Sequence, residues 1–267
     1  MNLPFDPQQI EALMRHIGSW MKAEQGKLAD IEVETKSLNS LVSYVDQTAE
    51  TQLVEGLKAM LPESGFLAEE SGDARIEAGW NWVIDPLDGT TNFLQNLPTY
   101  AISVALLYDD TLQFAAVWEA GGDDYFQAIQ GQGATCNGHK LSIANGPQMK
   151  DGLIATGFPY YDFSAMDGYL DVLRRGMKGS RGIRRFGSAA TDLAWTAGGK
   201  FQAFFEHGLS PWDIAAGILL VREAGGWVSD FSNRNLSDAQ LLTCRSIVAG
   251  NPQAHAELVQ WTDNAFS

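Results

Sequence analysis

Trp82-Val83-Ile84-Asp85-Pro86-Leu87-Asp88-Gly89-Thr90-Thr91 closes an apolar run on two acids, with a proline between them and a glycine and two hydroxyls behind. Read as a strand ending in a tight turn, it throws both carboxylates into one place. Divalent cations of the Mg²⁺ type want hard oxygen ligands, which Asp85 and Asp88 supply. The Leu87 carbonyl can point the same way. Pro86 stiffens the turn and removes a donor, and Gly89 lets a ligand approach the backbone closely. A helix starting at Gly89 or Thr90 would turn free N–H groups toward a phosphate. The plain alternative is a turn and nothing more, because Asp, Pro and Gly are common turn formers.

Two other segments carry acids in similar settings. Leu67-Ala68-Glu69-Glu70-Ser71 puts a like-charge pair behind a short apolar stretch, and a solvated loop is its alternative reading. Ser210-Pro211-Trp212-Asp213-Ile214 puts an acid at the start of an apolar helix, where helix capping would explain it equally well. His16, His139, His207 and His255 show no paired spacing, so zinc or a Ser-His-Asp triad has little support. Gly131 and Gly133 lack the third glycine of a dinucleotide fingerprint.

The chain has 267 residues and a net charge of -15. Its length suits one large domain or two joined ones, here divided as 1–145 and 146–267. Such a charge argues against general nucleic-acid or membrane-surface binding, since polyanions would be repelled. A small anionic substrate would need bound cations at its site. The 2 cysteines, Cys136 and Cys244, are far apart, as in a reduced cytoplasmic protein. The first residues show no secretory signal, and no apolar stretch is long enough to span a bilayer.

Apolar spacing predicts helices over 6–25, 42–61, 167–177, 189–197 and 214–224. Strands are expected over 80–84, 100–108, 113–118, 125–129, 153–157, 201–205 and 246–249, with a hairpin turn at Asp109-Asp110-Thr111-Leu112. Residues 131–138 read as a glycine-rich turn. The mixed order favours layered α/β or α+β packing.

Taken together, the motifs resemble those of the inositol monophosphatase family. Residues 82–93, WVIDPLDGTTNF, look like its first signature, and residues 211–217, PWDIAAG, like its second. Ala68-Glu69-Glu70-Ser71 matches its metal-binding glutamate segment, and Arg184-Arg185-Phe186-Gly187-Ser188-Ala189-Ala190 its substrate loop. The likeness runs in family order from about residue 39 to residue 251. It implies an αβαβα sandwich with the metal site between two halves. It implies two or three Mg²⁺ ions held by Glu69, Asp85, the Leu87 carbonyl, Asp88 and Asp213. It assigns Thr90 to the attacking water, with Asp46 and Glu69 in support. Asp88 and the N–H groups of Gly89 and Thr90 would meet phosphate, and Gly187, Ser188, Ala189 and Glu206 the alcohol part. Lys36 matches a loop lysine near the metals.

The implied activity is hydrolysis of myo-inositol monophosphate in a lithium-sensitive, cytoplasmic homodimer, with no nucleic-acid or membrane partner. Fructose 1,6-bisphosphate, histidinol phosphate and 3′-phosphoadenosine 5′-phosphate are alternative substrates. A regulatory binding protein that keeps the fold is the alternative class, since some relatives have acquired interactions with transcription machinery. The aromatic segment from Tyr160 to Gly168 is expected to border the pocket or a subunit contact.

Overall fold

The computed structural model describes residues 3–26, 33–37, 40–71, 79–158 and 162–266, with backbone alone at 33–37 and 40–43. The side chains of Lys36, Tyr160 and Tyr161 therefore lie outside the described set. In chain order the elements begin α1 (Pro7–Gln25), β1 (Val33–Ser37), β2 (Ser40–Ser43), α2 (Tyr44–Met60), β3 (Gly65–Ala68), β4 (Trp80–Asp88) and α3 (Thr90–Leu94). Then come β5 (Ala101–Tyr108), β6 (Thr111–Glu119), β7 (Asp124–Ile129), β8 (Gly133–Cys136), β9 (His139–Lys140) and β10 (Leu153–Thr156). The rest are α4 (Met166–Gly179), β11 (Gly182–Arg184), α5 (Ala189–Ala197), β12 (Ala203–His207), α6 (Pro211–Glu223), β13 (Trp227–Ser229), α7 (Asp238–Leu242), β14 (Ser246–Gly250) and α8 (Pro252–Phe266).

Strands β3 to β9 form a 7-stranded sheet in sequence order, and a 5-stranded sheet has the order β11-β10-β12-β14-β13. Side-chain alternation sorts the large sheet's apolar residues between two cores. Ile102, Val104 and Leu106 of β5 meet α1 and α2, while Ala101, Ala105 and Leu107 meet α5 and α6. In the small sheet, Phe204 and Ile247 face α5 and α6, and Phe205 and Val248 face α4 and α8. The result is five layers, αβαβα, whose four apolar interfaces merge into three cores. Strands covered on both faces have no polar side to show, which is why β5 and β6 read as nearly unbroken apolar runs.

Helix α1 buries Ile10, Met14, Ile17 and Met21 on one stripe, each contributing roughly 1.5–3 kcal/mol relative to an exposed position. Gly18 lets α1 pass Trp118, since a Cβ there would sit 2.5 Å from the indole. The central helix α6 is clasped at both ends. Ser103 Oγ of β5 donates to Trp212 O at 3.2 Å. At its far end the Glu223 carboxylate accepts from Gly131 N at 2.8 Å and Gly133 N at 2.7 Å.

Several boundaries differ from expectation, each for a tertiary reason. The second helix starts at Tyr44, not at residue 42, because Val42 pairs with Glu34 in a β-ribbon. The predicted turn over 131–138 contains β8, whose ladder with β7 begins at Ile129↔Gly133. The hairpin turn shortens to Asp109 and Asp110, since Thr111 already pairs with Tyr108. The strand expected over 201–205 lies at Ala203–His207, in register with β14. Helix α8 had no predicted counterpart. No helix among the described residues is long and apolar enough to cross a membrane.

Candidate active site

Asp85 and Asp88 are separated by an odd number of positions, so a regular strand would point them to opposite faces of the sheet. A bulge prevents this. Asp85 pairs with Ser103 and Asp88 with Ala101, so three steps on β4 match two on β5. Pro86, which cannot donate to a ladder, falls inside the irregularity. Ser103 and Ala101 share the face toward α5 and α6, and both acids are carried to that face with them.

Asp213, in the first turn of α6, meets them there. One carboxylate oxygen from each of Asp85, Asp88 and Asp213 lies within 4.8 Å of the others. The capping reading of Asp213 also holds, because its Oδ2 accepts Ser210 N at 2.7 Å. Asp85 Oδ1 accepts Leu87 N at 3.0 Å. Asp88 Oδ2 accepts Ser188 Oγ at 2.7 Å and Ala190 N at 2.6 Å, which ties β4 to the start of α5. Glu69 follows β3, whose Ala68 pairs with Ile84, so it reaches the same end of the sheet.

The electrostatics of this group are those of crowded, buried acids. Burial first, then Asp213, Glu70, Asp46 and Asp88, push the Glu69 carboxyl up to about 8. Burial likewise raises Asp85, with Glu69, Asp88 and Asp213 adding repulsion. Asp213 is raised to about 7 by burial and then by Asp88. Asp88 rises only to about 6, because its hydrogen bonds from Ser188 and Ala190 and the charge of Arg185 oppose burial. A hard divalent cation fits this donor set: it would supply the positive charge that convergent carboxylates lack.

Thr90 Oγ1 donates to Leu87 O at 3.1 Å and reaches Asp46 Oδ1 at 3.5 Å. Gly89 has φ 96°, and a Cβ on it would meet Thr99 O at 3.0 Å and Gly187 O at 3.3 Å. Only glycine lets these two strands of chain come so close. Asn92 fixes the same junction, its Nδ2 donating to Thr99 O at 2.6 Å and to Phe186 O at 2.7 Å.

A cavity of about 640 Å³ opens over these residues. Glu69, Asp88, Gly89, Thr90, Gly187, Ser188, Ala189, Glu206 and Asp213 all line it. The predicted metal ligands and substrate residues are thus brought together from both halves of the chain, with Asp85 and Leu87 buried beneath. Glu206 is 8% exposed and its carboxylate makes no hydrogen bond among the described residues; burial, then Asp192, Asp213 and Asp88, hold its carboxyl well above the usual range. Of the aromatic segment from Tyr160 to Gly168, Asp162 lines the cavity, as does Phe158 just before it.

Sequence reasoning passed over four participants. Arg245 and His207 line the cavity. Asn92 joins its two sides, and Asp192, buried with an unpartnered Oδ1, lies within electrostatic reach of Glu206. Asn92 stands inside the quoted signature and could have been found. Nothing local marks Arg245 or Asp192.

The model of the inositol monophosphatase family matches residues 4–265. A protein of Neisseria meningitidis serogroup B named putative Nus factor SuhB is 42% identical over 92% of this chain and 93% of its own. The solved structure of extragenic suppressor protein SuhB from Bartonella henselae superposes with a TM-score of 0.87 at 33% identity, covering 96% of this chain and 97% of that one. An IMPase of Thermotoga maritima gives a TM-score of 0.83 at 28% identity, covering 95% of each chain. This chain belongs to the inositol monophosphatase family.

Proposed function

We propose that this member of the family is a Mg²⁺-dependent hydrolase of a small phosphate monoester, with myo-inositol monophosphate as the leading substrate. The observation that carries the reading is the convergence of Asp85, Asp88 and Asp213 beside a glycine-hinged turn at the base of one large cavity. In this reading Glu69, Asp85, the Leu87 carbonyl, Asp88 and Asp213 hold two or three Mg²⁺ ions. Bound divalent ions supply Lewis acidity and neutralise developing charge on the phosphoryl oxygens. The chain's own residues do the rest.

Thr90, whose one proton is offered to Leu87 O at 3.1 Å or Asp46 Oδ1 at 3.5 Å, keeps lone pairs free to accept a hydrogen bond from the attacking water and so orients it. The N–H groups of Gly89 and Thr90, at the start of α3, have no intrahelical partner and take phosphate oxygens. Glu206, whose carboxylate has no partner among the described residues, meets substrate hydroxyls, while Gly187, Ser188 and Ala189 shape the wall beside it. The segment 1–145 acts as the half with most metal ligands, and 146–267 as the half with the substrate loop. The working form is a homodimer.

Phosphate release from myo-inositol 1-phosphate, measured with Mg²⁺, without it and with added Li⁺, tests this. Fast, magnesium-dependent and lithium-sensitive release supports it. No release, with Mg²⁺ binding intact, moves the substrate to another ester. A second reading comes from the relatives named Nus factor: a regulatory role in which the acidic surface meets a basic partner. Asp85→Asn separates the two, because turnover would vanish while partner binding would survive.

A further inference from the structure

Arg185 and Arg245 are the arginines on the cavity wall, and no lysine lines it among the described residues. Arg185 belongs to the loop beside Asp88, its guanidinium carbon 5.8 Å from the Phe158 ring centroid. Arg245 lines the same cavity from the turn between α7 and β14.

The backbone of Arg245 is unusual. Among the described residues, six other than glycine have a positive φ: Asn96, Asp109, Asp123, Asn137, Asn233 and Arg245 at 57°. Five are Asn or Asp, whose short polar side chains tolerate the left-handed region. A long side chain there costs stability and marks a position kept for another reason. The loop is held in place by Gly208 N, which donates to Arg245 O at 2.6 Å. The guanidinium returns the contact, Nη2 donating to Gly208 O at 3.2 Å.

Gly208 lies between Glu206 and Asp213, so Arg245 is fastened to the loop that carries both. A guanidinium has five N–H donors. Among the described residues only the one bond to Gly208 is made by this one, and no carboxylate pairs with it. Asp162, Asp213 and His207 feel its charge from a distance.

We propose that Arg245, which lines the cavity together with Arg185, is a specificity-determining residue. It recognises a second anionic group, phosphate or carboxylate, on the end of the substrate away from the ester being cleaved. This rests on the phosphatase reading above. A cavity of about 640 Å³ falls within the range that encloses drug-sized ligands, which leaves room beyond a single phosphate. Planar, bidentate recognition of such oxyanions is the task for which arginine is best shaped.

The test compares the full chain with Arg245→Asn, chosen because asparagine accepts the left-handed backbone. Initial rates with Mg²⁺ are measured on myo-inositol 1-phosphate, fructose 1,6-bisphosphate and 3-phosphoglycerate. The unaltered chain should turn over at least one of the two doubly anionic esters. Arg245→Asn should lower kcat/KM for that ester about 10- to 100-fold, mainly through KM. It should leave myo-inositol 1-phosphate within about twofold. Which ester loses tells phosphate from carboxylate. Equal loss on all three esters, or no loss on any, overturns the proposal while leaving the phosphatase reading intact. No turnover of any ester overturns both.

Discussion

The inner and outer parts of the cleft are built on opposite plans. At the inner end, Asp85, Asp88 and Asp213 are locked by backbone and hydroxyl donors, and their oxygens converge although like charges repel. At the outer end, Arg185 and Arg245 are exposed, and the Glu206 carboxylate has no hydrogen-bond partner among the described residues. Buried carboxylates that converge relieve their repulsion by taking up protons or by binding a counter-charge. An exposed, mixed-charge mouth instead suits discrimination among ligands. The inner end is therefore expected to govern turnover, and the outer end affinity.

The largest effect that could break this contrast is at Asp85. Asp85→Asn keeps size and shape but removes one charge from the inner cluster. Turnover should fall about 10³-fold or more, with the circular dichroism spectrum unchanged. A drop confined to KM would mean that the inner end serves only binding.

Metal removal sharpens the contrast next. The carboxyls of Glu69 and Asp213 lie at about 8 and about 7 in the fold, above an unfolded value of about 4. The fold then binds protons that the unfolded chain releases, so metal-free stability declines as pH rises from about 4 through about 8. In chelator, the melting temperature should be lower at pH 8 than at pH 5 by about 5 °C or more. Added Mg²⁺ should raise it most at pH 8. Parallel curves with and without Mg²⁺ would show that these acids do not hold it.

A smaller effect is expected at the seam between the halves. Asn92→Ala removes two donated hydrogen bonds, to Thr99 O and Phe186 O, in a residue 6% exposed. Two acceptors are left short, and denaturant titration should show a loss of about 1–3 kcal/mol. If the loss is nil, the seam is held by apolar packing alone and both ends of the cleft should keep their kinetics.

Much of the inner end was readable from the chain. Asp85, Asp88 and Gly89 sit together because a turn needs residues close in sequence, and local chemistry is what a motif records. Helix α1 was equally legible, since its buried stripe repeats at helical spacing, and α5 was marked by its alanine-rich run and the glycines that end it. Short strands such as β3, β11 and β13 escaped, because three or four residues carry no periodicity and their pairing partners lie elsewhere.

The sequence by itself determined which residue types could serve a metal and a phosphate, and where the long helices and apolar strands run. It left open whether Asp213 caps a helix or joins Asp85 and Asp88. Tertiary structure decided that it does both, because the bulge at Pro86 turns Asp88 to the face of Asp85 and α6 aims its first turn at them. It also brought Arg245 to Gly208 across 37 residues of chain. No local pattern encodes such contacts, since they arise only when two sheets close on a shared helical layer and bury their apolar faces.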